Sequence, residues 1–303
     1  MSESKSRVVV GFFGLIGVMF ISMLIFAFLL LKNFTSSSID SLTTTAKPEV
    51  GVIEITGAIM DSKKIIQKLL IAEEDNSLKA IIVRIDSPGG AVGPTQEIYE
   101  EIVRIDQSKP IYASFGSVAA SGGYYIGAAA RKIYANKGTI TGSIGVIMQF
   151  ADLSKIFEFL KFKPEIVKSG IYKDIGSPHR SMTEKEKALL NSTIGKVHDQ
   201  FRQDILKRRE GIIKGDLLSL SQGQIFSGQE ALDFGLVDGI GGLWGVSKSI
   251  HEELQLEGNF RNLKFIKLKK DSNLSRLLEN LDDPTDLAKS FIYNFVQPIL
   301  MAL

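Results

Sequence analysis

The 303-residue chain contains no cysteine. That absence excludes disulfides, thiolate nucleophiles and thiolate metal sites together, and it fits an oxidising compartment where free thiols are a liability. Histidine is scarce: His179, His198 and His251 are the whole supply. Nor is there a charge excess, since 36 basic residues face 34 acidic ones for a net charge of +2. Without a large positive field to neutralise phosphates, nucleic acid is excluded as a general partner. What is present is globular composition, 44% hydrophobic and 23% charged, in a length that holds one large domain or two ordinary ones. No internal repeat is found.

Charge is missing again from Val8 to Leu31, a run dominated by Val, Phe, Leu, Ile and Met. It is longer than the about 20 apolar residues that cross a bilayer. A signal peptide would carry a shorter apolar region of about 7–15 residues and a small-residue cleavage site. Thr44-Thr45-Ala46 is a poor and distant one. Residues 1–32 therefore read as a cytoplasmic N-terminus and one retained transmembrane anchor. Lys5 and Arg7 precede the span and Ser/Thr-rich chain follows it, so the positive-inside rule puts the rest outside the cytoplasm.

Residues 33–48 form a Ser/Thr-rich flexible linker ending in Lys47-Pro48. A folded domain is expected over 49–270. Strands at Val50–Ile55, Lys79–Ile85 and Ile111–Phe115 alternate with helices at Lys63–Ala72 and Thr95–Asp106, the pattern of a mainly parallel sheet with right-handed crossovers. Further strands are expected at Ile144–Met148 and Glu165–Val167, with a short helix at Leu153–Leu160 between them. Thr183 and Glu186 are spaced as a capping box, and Leu190, Ile194, Val197, Phe201 and Ile205 then line one face of a long helix. Gly228–Phe234 reads as a helix stopped by Gly235. The C-terminal segment 271–303 ends in an apolar stretch, Phe291–Leu303, too short and too interrupted by Pro298 to span a bilayer. It suits contact with a partner subunit, the membrane surface or its own domain.

Two loops carry the chemistry. Asp86-Ser87-Pro88-Gly89-Gly90 stands at the carboxyl end of a buried strand, where open α/β sheets bind ligands. Its glycines let backbone approach a substrate and leave N–H groups for a developing oxyanion. Ala119-Ala120-Ser121-Gly122-Gly123-Tyr124-Tyr125 again follows a strand and puts Ser121 at a helix start, where the dipole favours negative charge. A serine there is also a common N-cap, but each loop supplies what the other lacks: a nucleophile and its oxyanion donors.

A nucleophilic serine needs a base. His198 and His251 lie in helical patterns among charged residues and read as solvated surface; His179 lies in a loop and stays open. A lysine serves if burial leaves it neutral, and Lys168-Ser169-Gly170-Ile171-Tyr172-Lys173-Asp174 offers Lys168 and Lys173. Residue type alone leaves the base unassigned.

Four motifs in order complete the picture: Ile85-Asp86-Ser87-Pro88-Gly89-Gly90, Ala120-Ser121-Gly122-Gly123-Tyr124-Tyr125, Thr141-Gly142-Ser143-Ile144-Gly145-Val146, and the lysine segment 168–174. Over about Val50 to Leu268 the chain resembles the short form of the signal peptide peptidase A family, membrane-bound Ser-Lys proteases of bacteria and archaea in the Clp protease and crotonase fold superfamily. The resemblance implies an α/β fold of repeated ββα units with a mainly parallel sheet. It also implies Ser121 as nucleophile, Lys173 as general base with Lys168 as runner-up, Ser143 orienting the lysine amine, and Gly89 with Gly122 forming the oxyanion hole. No metal or other cofactor is implied. Substrates would be remnant signal peptides or other unfolded polypeptides with small or apolar side chains near the cut. The assembly would be a homo-oligomeric ring or dome on the extracytoplasmic side of the bacterial inner membrane. A crotonase-type acyl-CoA enzyme would share the fold and the paired amides, but would normally lack the anchor.

Overall fold

The structure is a computed structural model that describes residues 47–268 together with Met23. Apart from Met23, the apolar run Val8–Leu31 lies outside the described residues, as do most of the linker and the whole of 271–303. Among the described residues no helix is long and apolar enough to cross a membrane.

The chain from residue 50 begins as the alternation predicts. β1 (Val50–Thr56), α1 (Lys63–Glu74), β2 (Ala80–Ser87), α2 (Val92–Asp106) and β3 (Ile111–Ala120) build a parallel core in which Val50 pairs with Ala80 and Ile81 with Ile111. Then follow α3 (Gly122–Ala128), β4 (Lys132–Ala135), β5 (Ile140–Gly142), α4 (Ser154–Phe159), α5 (Glu184–Arg209) and α6 (Leu217–Leu220). β6 (Ile225–Ser227), α7 (Gly228–Asp233), β7 (Gly239–Ile240), α8 (Leu243–Leu254) and β8 (Leu263–Phe265) complete the described elements. The sheet runs β6-β5-β3-β2-β1-β8, with β4 on the first half of β3 and β7 beyond it. Its ladders are parallel except between β5 and β6.

Because side chains alternate across a strand, the near-continuous apolar runs serve two cores. Ile53, Ile55, Ile81, Val83, Ile85 and Phe115 face the side covered by α1, α2 and α3. Val50, Val52, Ala80, Ile82 and Tyr112 face the opposite side, where Val246 and Ile250 of α8 cover them. The sheet is thus dry on both faces, and its carboxyl edge is the free rim on which the two glycine-rich loops sit.

Two expectations fail between β5 and α5. Neither Ile144–Met148 nor Glu165–Val167 forms a strand. An apolar run becomes a strand only where neighbours complete its hydrogen bonds and cover its side chains. Here Ile144 is buried but Ile147 is 86% exposed and Val167 fully so. Residues 145–182 form an excursion with its own internal bonds, such as Leu153 N–H to the Pro178 carbonyl at 2.9 Å. The helix expected between the two failed strands is present as α4. The capping box closes as spaced: Thr183 Oγ1 accepts the Glu186 N–H, and Glu186 accepts the Thr183 N–H at 2.8 Å. His251 is also corrected: it is buried on α8, with Nδ1 at 2.8 Å from the Ser247 carbonyl one turn earlier.

Candidate active site

At the end of β2 the chain must turn sharply beside β3, and Asp86 organises that turn. Its Oδ1 accepts the Val118 N–H at 3.0 Å, opposite a register shift between Ile85 and Ser87. Ser87, fully buried, then accepts the Gly89 N–H on its hydroxyl at 3.1 Å. The Gly89 amide is therefore already taken. The next amide, that of Gly90, has no hydrogen-bond partner among the described residues, while its neighbours bond to Ile59 on either side.

The second loop lies against the first, backbone to backbone. Gly89 has φ of 104°, and a Cβ there would stand 2.7 Å from the Gly122 nitrogen and 2.9 Å from Ser121 Cβ. Gly122 has the same need: a Cβ on it would meet Thr95 Oγ1 at 2.9 Å and the Gly90 nitrogen at 3.3 Å. Only glycine lets these loops touch, and the contact leaves the N–H groups of Gly90 and Gly122 close together, both without partners among the described residues.

Ser121 sits at the N-cap position of α3, yet its side chain caps nothing. Its backbone is held at φ 51°, ψ −119°, a region that non-glycine residues rarely enter and that costs about 1–3 kcal/mol. Two bonds enforce it: the Ser121 N–H donates to the Gly142 carbonyl at 2.8 Å, and its carbonyl accepts the Tyr125 N–H at 2.9 Å. Among the described residues the hydroxyl is left unbonded at a helix start beside two unpaired amides. An uncommitted hydroxyl in a strained turn is the geometry of a nucleophile rather than of a cap.

The other predicted residues divide. Ser143 follows Gly142 directly, at φ 49°, with its N–H donated to the Gln224 carbonyl at 2.7 Å. Lys173 and Lys168 both lie on the excursion, and neither lines the cavity that holds Ser121. Lys168 is spent on Asp174 at 2.5 Å and on the Ile171 carbonyl at 3.2 Å. Lys173 is exposed, and its side chain makes no hydrogen bond or ion pair among the described residues. Its neighbour Asp174 also accepts Arg180, at 2.9 and 3.0 Å, and Arg180 reaches on to Glu186 at the start of α5. Hydrogen bonds from Arg180 and Lys168 hold the Asp174 carboxyl well below its ordinary range, and Arg180 with the Thr183 N–H brings Glu186 down to about 2. His179, on the same excursion, packs against Phe157 at 4.6 Å between ring centres, away from Ser121.

Beside Ser121 lies a cavity of about 30 Å³, lined by Thr95, Gln96, Tyr125, Val197 and Phe201 among others. Its volume exceeds the ~10–15 Å³ that admits one water. Sequence reasoning read Val197 and Phe201 as a core stripe and gave Tyr125 and Gln96 no role. The period-3.6 stripe marked the right face of α5, but nothing in it indicated that the face closes a cavity.

The sequence pattern of Peptidase family S49 matches residues 104–257, and that of Clp protease matches residues 45–140. A Synechocystis protein named as a protease is 39% identical over 199 residues, 65% of this chain and 72% of that relative. An Enterococcus faecium protein named signal peptide peptidase SppA is 34% identical over 201 residues, 66% of this chain and 57% of that relative. The chloroplastic serine protease SPPA of Arabidopsis thaliana is 34% identical over 195 residues, 64% of this chain, which spans only 28% of the plant protein.

Proposed function

Because this chain belongs to Peptidase family S49, and is a serine peptidase by that membership, we propose that Ser121 is its nucleophile and Lys173 its general base, the two brought together from different copies of the chain. The observation that carries this reading is the free Ser121 hydroxyl, strained at φ 51° beside two unpaired amides. Lys173 supplies the other half: it is exposed, without a side-chain partner among the described residues, on an excursion whose apolar side chains also face outward. A lysine is largely neutral near pH 7 only where burial disfavours its charged form, and in this reading the surface of a second copy buries it.

The chemistry then runs in two stages. Ser121 Oγ attacks a peptide carbonyl as its proton passes to the neutral Lys173 amine, forming a C–O bond and moving the carbonyl electron pair onto oxygen. The Gly122 and Gly90 N–H groups stabilise that oxyanion; Gly89, named by the family resemblance, contributes the close approach rather than its own engaged amide. Collapse breaks the C–N bond, and the lysine's proton leaves with the amine. Water, deprotonated by the same lysine, hydrolyses the acyl-enzyme and returns Ser121. Ser143, one residue past the Ser121 backbone bond, orients the lysine.

The substrates we propose are remnant signal peptides and other unfolded, membrane-associated polypeptides, whose small or apolar side chains match the cavity. Residues 8–31 anchor the chain in the bacterial inner membrane with the N-terminus cytoplasmic. The homo-oligomer, a ring or dome, restricts access to extended chains.

Mixing two inactive variants tests the arrangement. Ser121→Ala and Lys173→Ala each lower hydrolysis of an unfolded polypeptide by about 10²–10⁴-fold. Co-assembled, they regain activity because some sites receive an intact serine and an intact lysine. A mixture that stays inactive while both variants assemble normally rules out pairing across copies. Undiminished activity in either single variant removes that residue from the chemistry.

A further inference from the structure

Helix α5 buries apolar side chains only in its second half, at Phe201 and Ile205, while Leu189 near its start is exposed. That second half places Val197 and Phe201 in the cavity beside Ser121. A helix this polar has little apolar surface to hold it there; Arg208 and Arg209 tie its last turn to Asp106, Asp238 and the Gly235 carbonyl, and one turn nearer the cavity the bonds run through Asp204. The Tyr125 hydroxyl donates to Asp204 Oδ2, and the Tyr99 hydroxyl donates to the Asp204 carbonyl at 2.8 Å. Lys207 donates to the other carboxylate oxygen at 2.7 Å, from the solvent side. The Tyr125 ring lies between Tyr99, stacked at 4.9 Å, and Phe201, tilted at 4.5 Å. The Tyr125 N–H ends the chain of contacts on the Ser121 carbonyl at 2.9 Å.

Resting on the assignment of Ser121 as nucleophile, we propose that Asp204 is a positioning residue which fixes the width of this cavity, and so sets the size of the side chain accepted next to the scissile bond. The reasoning is geometric. Tyr125 forms one wall and Phe201 another, and each leans on the other's ring. The carboxylate ties the helix carrying Phe201 to the hydroxyl of Tyr125, so among the bonds that hold this helix it is the one that links the two walls directly. Burial, reinforced by the carboxylate, raises the Tyr125 phenol far above neutral pH, so it remains a donor throughout the working range. Without its acceptor this buried hydroxyl must turn to find another partner. Phe201 then loses its stop, and the cavity widens.

The test compares full-length parent, Ser121→Ala, Asp204→Ala, Asp204→Asn and Tyr125→Phe on two peptides that differ only in Ala or Leu before the cut. The quantity read is the ratio of kcat/KM for Ala over Leu, in which the fraction of correctly folded enzyme cancels. We expect that ratio to fall about tenfold in Asp204→Ala and in Tyr125→Phe, the scale of one methylene in an apolar pocket. Asp204→Asn keeps an acceptor oxygen and keeps the parental ratio. Tyr125→Phe removes the same bond without opening a hole, so the comparison survives if Asp204→Ala does not fold. A parental ratio in both overturns the proposal. Activity retained by Ser121→Ala instead overturns the underlying assignment, and does so independently of the ratio.

Discussion

Ser121 occupies a backbone conformation that glycine would adopt without cost, and the chain keeps a serine there. The strain is tolerated because two hydrogen bonds and two glycine contacts fix the turn from all sides. Those glycines are accordingly the sensitive positions. In Gly89→Ala the new methyl meets the Gly122 nitrogen at 2.7 Å from an unfavourable φ of 104°. The loops separate and the paired amides lose their alignment. We expect kcat to fall by about 10²–10³-fold, the cost of one lost oxyanion donor. Rapid-mixing measurement of acylation checks this, and an unchanged acylation rate contradicts the paired-amide geometry. Much of this was readable in the sequence: a serine between a strand and a helix, with glycines in both loops, already singled out Ser121. The identity of the free amides was not. It turns on a single side chain, the Ser87 hydroxyl, which takes the Gly89 N–H and leaves that of Gly90.

At the scale of elements, α5 joins two functions. Its second half walls the cavity, and its first turn anchors the Lys173 segment through Glu186, Arg180 and Asp174. Both carboxyls are held below their ordinary values by Arg180, so the anchor stabilises the fold above pH 4.5 and is lost as pH falls toward about 2. Hydrogen exchange over residues 172–190, corrected for intrinsic rates, should therefore accelerate across that window while β1, β2 and β3 stay protected. In Arg180→Gln the same segment should exchange rapidly already at neutral pH. Protection that persists to pH 2, or that survives this substitution, removes the anchor from the account. The capping box was legible because its partners are three residues apart. The apolar runs near 146 and 166 form no strands because nothing among the described residues pairs with them or covers Ile147 and Val167, and a local pattern carries no record of what will cover it.

For the whole molecule, the parallel sheet was legible from the spacing of three apolar runs and the helices between them, whereas the short strands β4 to β8 were not, being two to four residues long. The proposed assembly points to the excursion. Ile147, Phe159, Phe162 and Val167 stand exposed along it, and single chains rarely keep contiguous apolar patches beyond a few hundred Å². Placing a charge there, as in Phe159→Glu, should lower the mass observed by light scattering in detergent and reduce hydrolysis with it. An undiminished assembly in that variant would show that other surfaces hold the copies together.

Under the proposed pairing, the same excursion makes potency depend on crowding. With serine and lysine drawn from separate copies, as proposed, a lone chain holds a nucleophile without a base. Under that pairing, activity per molecule falls on dilution and climbs steeply as copies accumulate. Proteolysis, in the same reading, begins only where local density passes the threshold for assembly.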